Sequence, residues 1–127
     1  MPGALVLPDN RVRLFLAGNG ISSEISTDGL SFTQEGGLRI PAVESAIVDN
    51  PQPIRLMDGS YLMLFSVHDL SHEGQPEPWT YTEIRLASST DAYDWIVNPA
   101  IIGYGGTSCV VEMPDGTLYI YYGTANP

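Results

Sequence analysis

The sequence predicts an all-β chain built of β-propeller blades, each of four short antiparallel strands, with about two and a half blades in 127 residues. Three observations predict it. A strand–turn–strand motif occurs three times without gaps, a Ser-Thr-Asp turn follows its first two copies, and the second strand of each motif is apolar on both faces. The 13 Gly and 10 Pro fall between short apolar runs, which is how a chain of strands is punctuated. Four-stranded units with both faces apolar describe blades stacked face to face around an axis. A β-sandwich also offers short, evenly spaced strands, but nothing in it requires a hairpin and an Asp turn to recur as a pair.

In chain order, the motif first covers Leu7–Gly18, then Leu56–Val67, then Met113–Thr124. Each turn centres on Asp9-Asn10, Asp58-Gly59 or Asp115-Gly116, residue pairs that tolerate the positive φ of a tight hairpin. The strands leaving these turns, Leu14-Phe15-Leu16, Leu62-Met63-Leu64-Phe65 and Tyr119-Ile120-Tyr121, are expected to be covered on both sides. After the first two hairpins come Ser26-Thr27-Asp28 with Phe32, and Ser89-Thr90-Asp91 with Trp95. There Ser and Asp can bond their own turn backbone while the aromatic packs beneath it. The hairpin aspartates Asp9 and Asp58 are 49 residues apart, whereas Asp28 and Asp91 are 63 apart. The difference is an insertion, His68 to Tyr81, rich in Pro, Gly and charge. Repeat one is therefore placed at 1–40, repeat two at 41–104 and a partial repeat three at 105–127.

Composition removes several functions. With 5 Arg, no Lys and 15 acidic residues the net charge is −10, which argues against a nucleic-acid backbone or anionic membrane as partner. No apolar run reaches the roughly 18 residues of a membrane span, and hydrophobic residues at 43 % exclude a disordered acidic tail. Met1-Pro2-Gly3 leads into a strand without a basic, signal-like start, which leaves the compartment open with the cytoplasm as the default expectation. The single cysteine, Cys109, lies in the run Cys109-Val110-Val111 and is expected to be a small buried hydrophobe. No Gly-rich phosphate loop occurs and no cofactor is implied. His68 and His72 stand at i, i+4, which brings imidazoles together only on a helix, and Gly74, Pro76 and Pro78 make this segment a loop. No metal site is expected.

The run Asp49-Asn50-Pro51-x-Pro53-Ile54-x-Leu56-x-Asp58-Gly59-x-Tyr61-x-Met63, followed by Ala87-Ser88-Ser89-Thr90-Asp91 and Trp95, resembles the five-bladed propeller glycosidases, a superfamily of arabinanases, xylosidases, invertases and levansucrases. The Ser-Thr-Asp-Gly-x-x-Phe turn is similar to the Asp-box of six-bladed sialidases, with a shorter Asp-to-aromatic spacing. Glycoside hydrolysis usually needs two carboxyl groups facing each other across the sugar. The resemblance puts Asp49 where one such family Asp would stand, as base or nucleophile on an innermost strand. Gly106 takes the equivalent place in repeat three, and Met1 aligns with Asn50, so repeat one lacks the position. The family's acid, a Glu from a later blade, has no counterpart, and Glu112 reads as a solvated strand end. Leu38-Arg39-Ile40-Pro41 looks like the Arg-Ile-Pro element of sialidases, which makes Arg39 a ligand-binding candidate, although it follows the Asp turn instead of opening an inner strand. Trp79 and Tyr81 close the insertion and offer aromatic faces on which a sugar ring could stack, or which anchor the loop on its blade.

Two and a half blades do not close a ring, and open blade faces favour association. Either the chain assembles in a non-standard way or it is a piece of a longer propeller. The expectation is a glycosidase-like module that forms a homo-oligomer through its open edges and takes a glycan ligand, without a complete catalytic site in one chain. The rival is a glycoside hydrolase whose site is assembled between chains around Asp49. A third reading is a truncated chain kept folded only by self-association.

Overall fold

Three antiparallel sheets follow one another along the chain. The computed structural model describes residues 1–76 and 78–124, apart from the side chains of Pro78, Trp79 and Thr107. Strands β1 (Gly3–Val6), β2 (Val12–Leu16), β3 (Ile21–Ser26) and β4 (Thr33–Ile40) form the first sheet in sequential order. The second holds β5 (Ala46–Arg55), β6 (Tyr61–Asp69), β7 (Thr82–Ser89) and β8 (Ile96–Val97), again in sequence. A further short strand, β9 (Gly103–Tyr104), pairs with the other half of β7, so two short strands share the outer position of this sheet. The third is the hairpin of β10 (Gly106–Glu112) and β11 (Leu118–Gly123). Among the described residues no α-helix occurs, and no helix is long and apolar enough to cross a membrane.

The three hairpin turns are built alike. The amides of Leu7, Leu56 and Met113 donate to the carbonyls of Arg11, Ser60 and Thr117, and the amides of Asn10, Gly59 and Gly116 donate back to Leu7, Leu56 and Met113. Asn10, Gly59 and Gly116 sit at φ 68°, 88° and 87°, the left-handed residue that closes a three-residue hairpin loop. Asp9, Asp58 and Asp115 each accept the amide two residues on, at 2.9–3.1 Å. Residues adjacent in the chain therefore satisfy one another, and the turns form wherever this pattern stands.

The first strands of the sheets lie side by side, β1 and β10 each against β5. Their approach is close: a Cβ on Gly3 would collide with the Pro51 carbonyl and the Pro53 ring. The core fills the space between the first two sheets. Leu5, Leu7, Phe15, Ile21 and Ile40 come from the first, and Val48, Tyr61, Met63, Phe65, Val67 and Ala87 from the second. Complete burial of Phe15, Met63 or Phe65 stabilises by roughly 1.5–3 kcal/mol each relative to exposure. Leu62, Leu64 and Ile84 lie on the opposite face of the second sheet, by strand alternation, and are buried too.

Only the middle sheet meets the expectation of double covering. All of Tyr61 to Val67 on β6 is buried, but β2 alternates, with Arg13 and Phe15 buried and Val12, Leu14 and Leu16 half-buried. On β11 every residue but half-buried Ile120 is exposed, Tyr121 at 59 %. The reason is that β2 and β11 belong to the end sheets, whose outer faces have no neighbour within the chain. Cys109 is corrected for the same reason: it sits on β10 and is a free, exposed thiol instead of a core residue.

Candidate functional site

Asp49 lies on the inner strand β5, opposite Ser66 of β6 and immediately before a register shift. Asn50 adopts φ 50° there, and its amide donates to Asp49 Oδ1 at 2.6 Å. The amino group of Met1 is 3.6 Å from the same oxygen, and the Asp49 side chain is 42 % exposed. The bulge holds this carboxylate on the first strand of a sheet, partly open to solvent. Among the described residues no group of three or more His, Cys, Asp or Glu side chains could hold a metal ion.

Arg39 is placed otherwise. It is on β4, the outermost strand of the first sheet, and only 5 % exposed. Its guanidinium stacks on Tyr93, 3.6 Å from the ring centroid, and Nη2 donates to the Gly36 carbonyl. Beside it, Arg13 Nε and Nη2 bond the two Glu35 oxygens at 2.7 and 2.9 Å, and Ser23 Oγ donates to Glu35 Oε1 at 2.9 Å. Burial pushes the Glu35 carboxyl up, but the Arg13 fork and the Ser23 hydroxyl together hold it below its ordinary value. This polar layer joins the first sheet to the Asp turn of the second.

The two Ser-Thr-Asp turns have the same bonding. Ser26 Oγ accepts from the amides of Asp28 and Gly29, as Ser89 Oγ does from Asp91 and Ala92. Asp28 Oδ1 accepts from Leu30 and Ser31, as Asp91 Oδ1 does from Tyr93 and Asp94. Trp95 packs against the core and meets Phe15 edge-on, ring centroids 5.7 Å apart at 87°.

The insertion rises from the end of the second sheet. Asp69 caps a 3₁₀ turn, Leu70–His72, by accepting the Ser71 amide at 2.8 Å, and a second 3₁₀ turn spans Pro78–Tyr81. The side chain of Trp79 lies outside the described residues. Tyr81 stacks on His72, 3.7 Å apart and nearly parallel, and keeps 41 % of its surface exposed. The histidines do not converge: His68 bonds Thr82 Oγ1 at 2.9 Å and Glu73 at 2.7 Å, whereas His72 faces Asp69 at 3.6 Å. Tyr81 borders a cleft of about 430 Å³ between the connector from Val43 to Ala46 and the facing ends of β6 and β7, with Asp69, Glu83 and Arg85 in its walls.

Asp49, Arg39 and Tyr81 are thus not brought into one site. Asp49 and Arg39 lie outside the Tyr81 cleft. Sequence reasoning missed Glu44, Glu83 and Arg85 as cleft residues. Its available signal was Glu83-x-Arg85, two charges on one face of a strand that blade stacking would cover on both sides. It also missed the tether at the third sheet, where Glu112 Oε2 accepts the Met57 amide at 2.8 Å. Glu112 binds the next hairpin instead of standing free.

No protein-family model and no curated protein matches the chain. Solved structures do. The native arabinanase of Bacillus subtilis matches with a TM-score of 0.68 at 15 % identity over 94 % of this chain and 45 % of that one. An exo-1,5-alpha-L-arabinanase from a bovine ruminal metagenomic library gives 0.68 at 14 %, covering 94 % and 44 %. A putative exo-beta-1,3-galactanase of Bifidobacterium bifidum s17 gives 0.61 at 17 %, covering 94 % and 43 %. The likeness is one of fold: the chain is a partial propeller and spans less than half the length of these five-bladed chains.

Proposed function

We propose that this chain is a self-associating propeller module that binds carbohydrate and lacks a complete catalytic site of its own. One observation carries the self-association: the outer faces of both end sheets have no neighbour within the chain, and on β11 the face turned away from the second sheet exposes Tyr119 and Tyr121. Apolar blade faces are stable against another sheet, not against water. A second copy is the natural cover, because each chain spans 45 % of a related propeller and two would span most of one. Light scattering on a size-exclusion column, across a dilution series, tests this. The expected mass is twice that of one chain or more, reduced by Tyr121→Arg; a folded wild-type monomer overturns it.

The position of Asp49 favours a second reading, a glycoside hydrolase whose acid comes from a partner copy. Hydrolysis needs two carboxyl groups across the glycosidic bond, and Asp49 stands on an inner strand, partly exposed. Turnover of aryl arabinosides, xylosides, fructosides or sialosides that is lost in Asp49→Ala supports this reading, and no turnover on any of them removes it.

A further inference from the structure

Resting on the carbohydrate reading above, we propose that the cleft beside Tyr81 is the carbohydrate site and that it selects neutral glycosides carrying an apolar aglycone. The cleft lies between the connector from Val43 to Ala46 and the five-stranded second sheet, and among the described residues none of the third sheet lines it, so its opening does not arise from the incomplete third sheet. Its volume of about 430 Å³ lies within the roughly 300–1,000 Å³ of small-molecule sites.

The chemistry of the walls sets the ligand class. Glu44, Asp69 and Glu83 supply carboxylates, and Arg85 is the one cation among the lining residues. Arg85 Nη1 is already paired with Glu83 Oε2 at 2.9 Å. The Ser71 side chain and backbone amide hold Asp69 below the usual carboxylate range, so it stays an acceptor at neutral pH. A wall rich in acceptors suits the many hydroxyl donors of a sugar and repels uronic acids and phosphates. Tyr81 contributes a half-exposed ring at the mouth, held in place by its stack on His72. Aromatic faces of this kind take the C–H face of a sugar ring.

A second recess of about 160 Å³, lined by Ile40, Pro41, Phe65 and Val97, adjoins the cleft, and Val43, Val67 and Arg85 line both. Apart from Arg85 its lining is apolar, so it favours hydrocarbon over a cluster of hydroxyls. Among the described residues Arg85 Nε has no hydrogen-bond partner and is itself buried, so the wall shared by the two spaces carries one unused donor. An alkyl or aryl aglycone fills the recess while the sugar ring stays among the carboxylates.

The test titrates the full chain with the p-nitrophenyl and methyl forms of one neutral xyloside and one neutral arabinoside, and with p-nitrophenyl glucuronide. The readouts are calorimetry and the amide NMR spectrum. Aryl glycosides are expected to bind at least fivefold more tightly than methyl ones and at least tenfold more tightly than the glucuronide. Shifts should centre on residues 43–46, 69–71 and 81–85. Tyr81→Ala should weaken binding about tenfold, with Tyr81→Phe restoring it. Ser71→Trp, on an exposed turn, should block the mouth if Tyr81→Ala does not fold. Binding that survives both cleft variants but is lost in Asp49→Ala overturns the cleft and leaves the carbohydrate reading standing. Equal affinity for the glucuronide overturns the selectivity. No binding of any probe at millimolar concentration overturns cleft and carbohydrate reading together.

Discussion

Arg13 Nη1 donates to the carbonyl of Ala92, 3.0 Å away and 79 residues further along the chain. The remaining guanidinium nitrogens of Arg13 bond Glu35 of its own sheet. One buried side chain therefore fixes the first sheet against the Ser-Thr-Asp turn of the second, and its planar fork is what allows both tasks.

Arg13→Met removes the fork that holds the part-buried Glu35 and leaves Arg39 as the cation acting on it, and loss of such charged hydrogen bonds costs about 1.5–3 kcal/mol. Urea unfolding should show this as a lower midpoint. Arg13→Lys keeps the charge but not the fork and should fall between the two. The double change Arg13→Met with Glu35→Leu should cost less than Arg13→Met alone, because the carboxylate that lost its fork is removed as well.

Stability should fall in acid. The amides of Ser31 and Leu30 and the Ser26 hydroxyl hold Asp28 below its ordinary value, and the amides of Tyr93 and Asp94 with the Ser89 hydroxyl do the same for Asp91. Glu35 is lowered as well. A carboxyl whose folded pKa is depressed binds fewer protons folded than unfolded, so its contribution is complete above the unfolded value and disappears as pH falls through the folded one. With ordinary values of 3.8 for Asp and 4.5 for Glu, the thermal midpoint should be insensitive to these groups above about pH 5 and drop below it. Asp28→Asn and Asp91→Asn should each flatten that drop.

The paired turns differ at one informative place. Gly29 has φ 74° and Ala92, its counterpart, φ 61°. A Cβ at Gly29 meets nothing within 4 Å, so Gly29→Ala should cost only the left-handed penalty, about 1–2 kcal/mol. Ala92→Gly relieves that penalty but removes a fully buried methyl, worth about 0.8 kcal/mol before any cavity. The two terms oppose, and unfolding should place Ala92→Gly within about 1 kcal/mol of the wild type.

Trp95→Ala should cost about 2–3 kcal/mol, because the half-buried indole packs against the core and meets Phe15 edge-on. Phe32, its counterpart in the first sheet, is half-buried and outside the core cluster. Phe32→Ala should cost less than about 1 kcal/mol. Equal losses for the two would contradict the asymmetry between the complete and the open blade faces.

The sequence by itself determined the hairpins, the Ser-Thr-Asp turns and the number of sheets. These rest on hydrogen bonds between residues two to four apart, such as Asp9 to Arg11 or Asp28 to Ser31, and on the period of two along each strand. Such interactions are complete within a few residues, so their pattern can be read without knowing what lies across the molecule. Tertiary structure alone decided which faces are covered. Leu14 and Leu64 belong to equally apolar strands, yet one is half-buried at an end sheet and the other fully buried in the middle one. The same distinction exposed Cys109, buried Arg39 on Tyr93, and opened a cleft from Glu44, Asp69, Glu83 and Arg85, residues drawn from a connector and two strands. Burial depends on what packs above a strand, and that neighbour is set by the stacking of whole sheets, not by the local sequence.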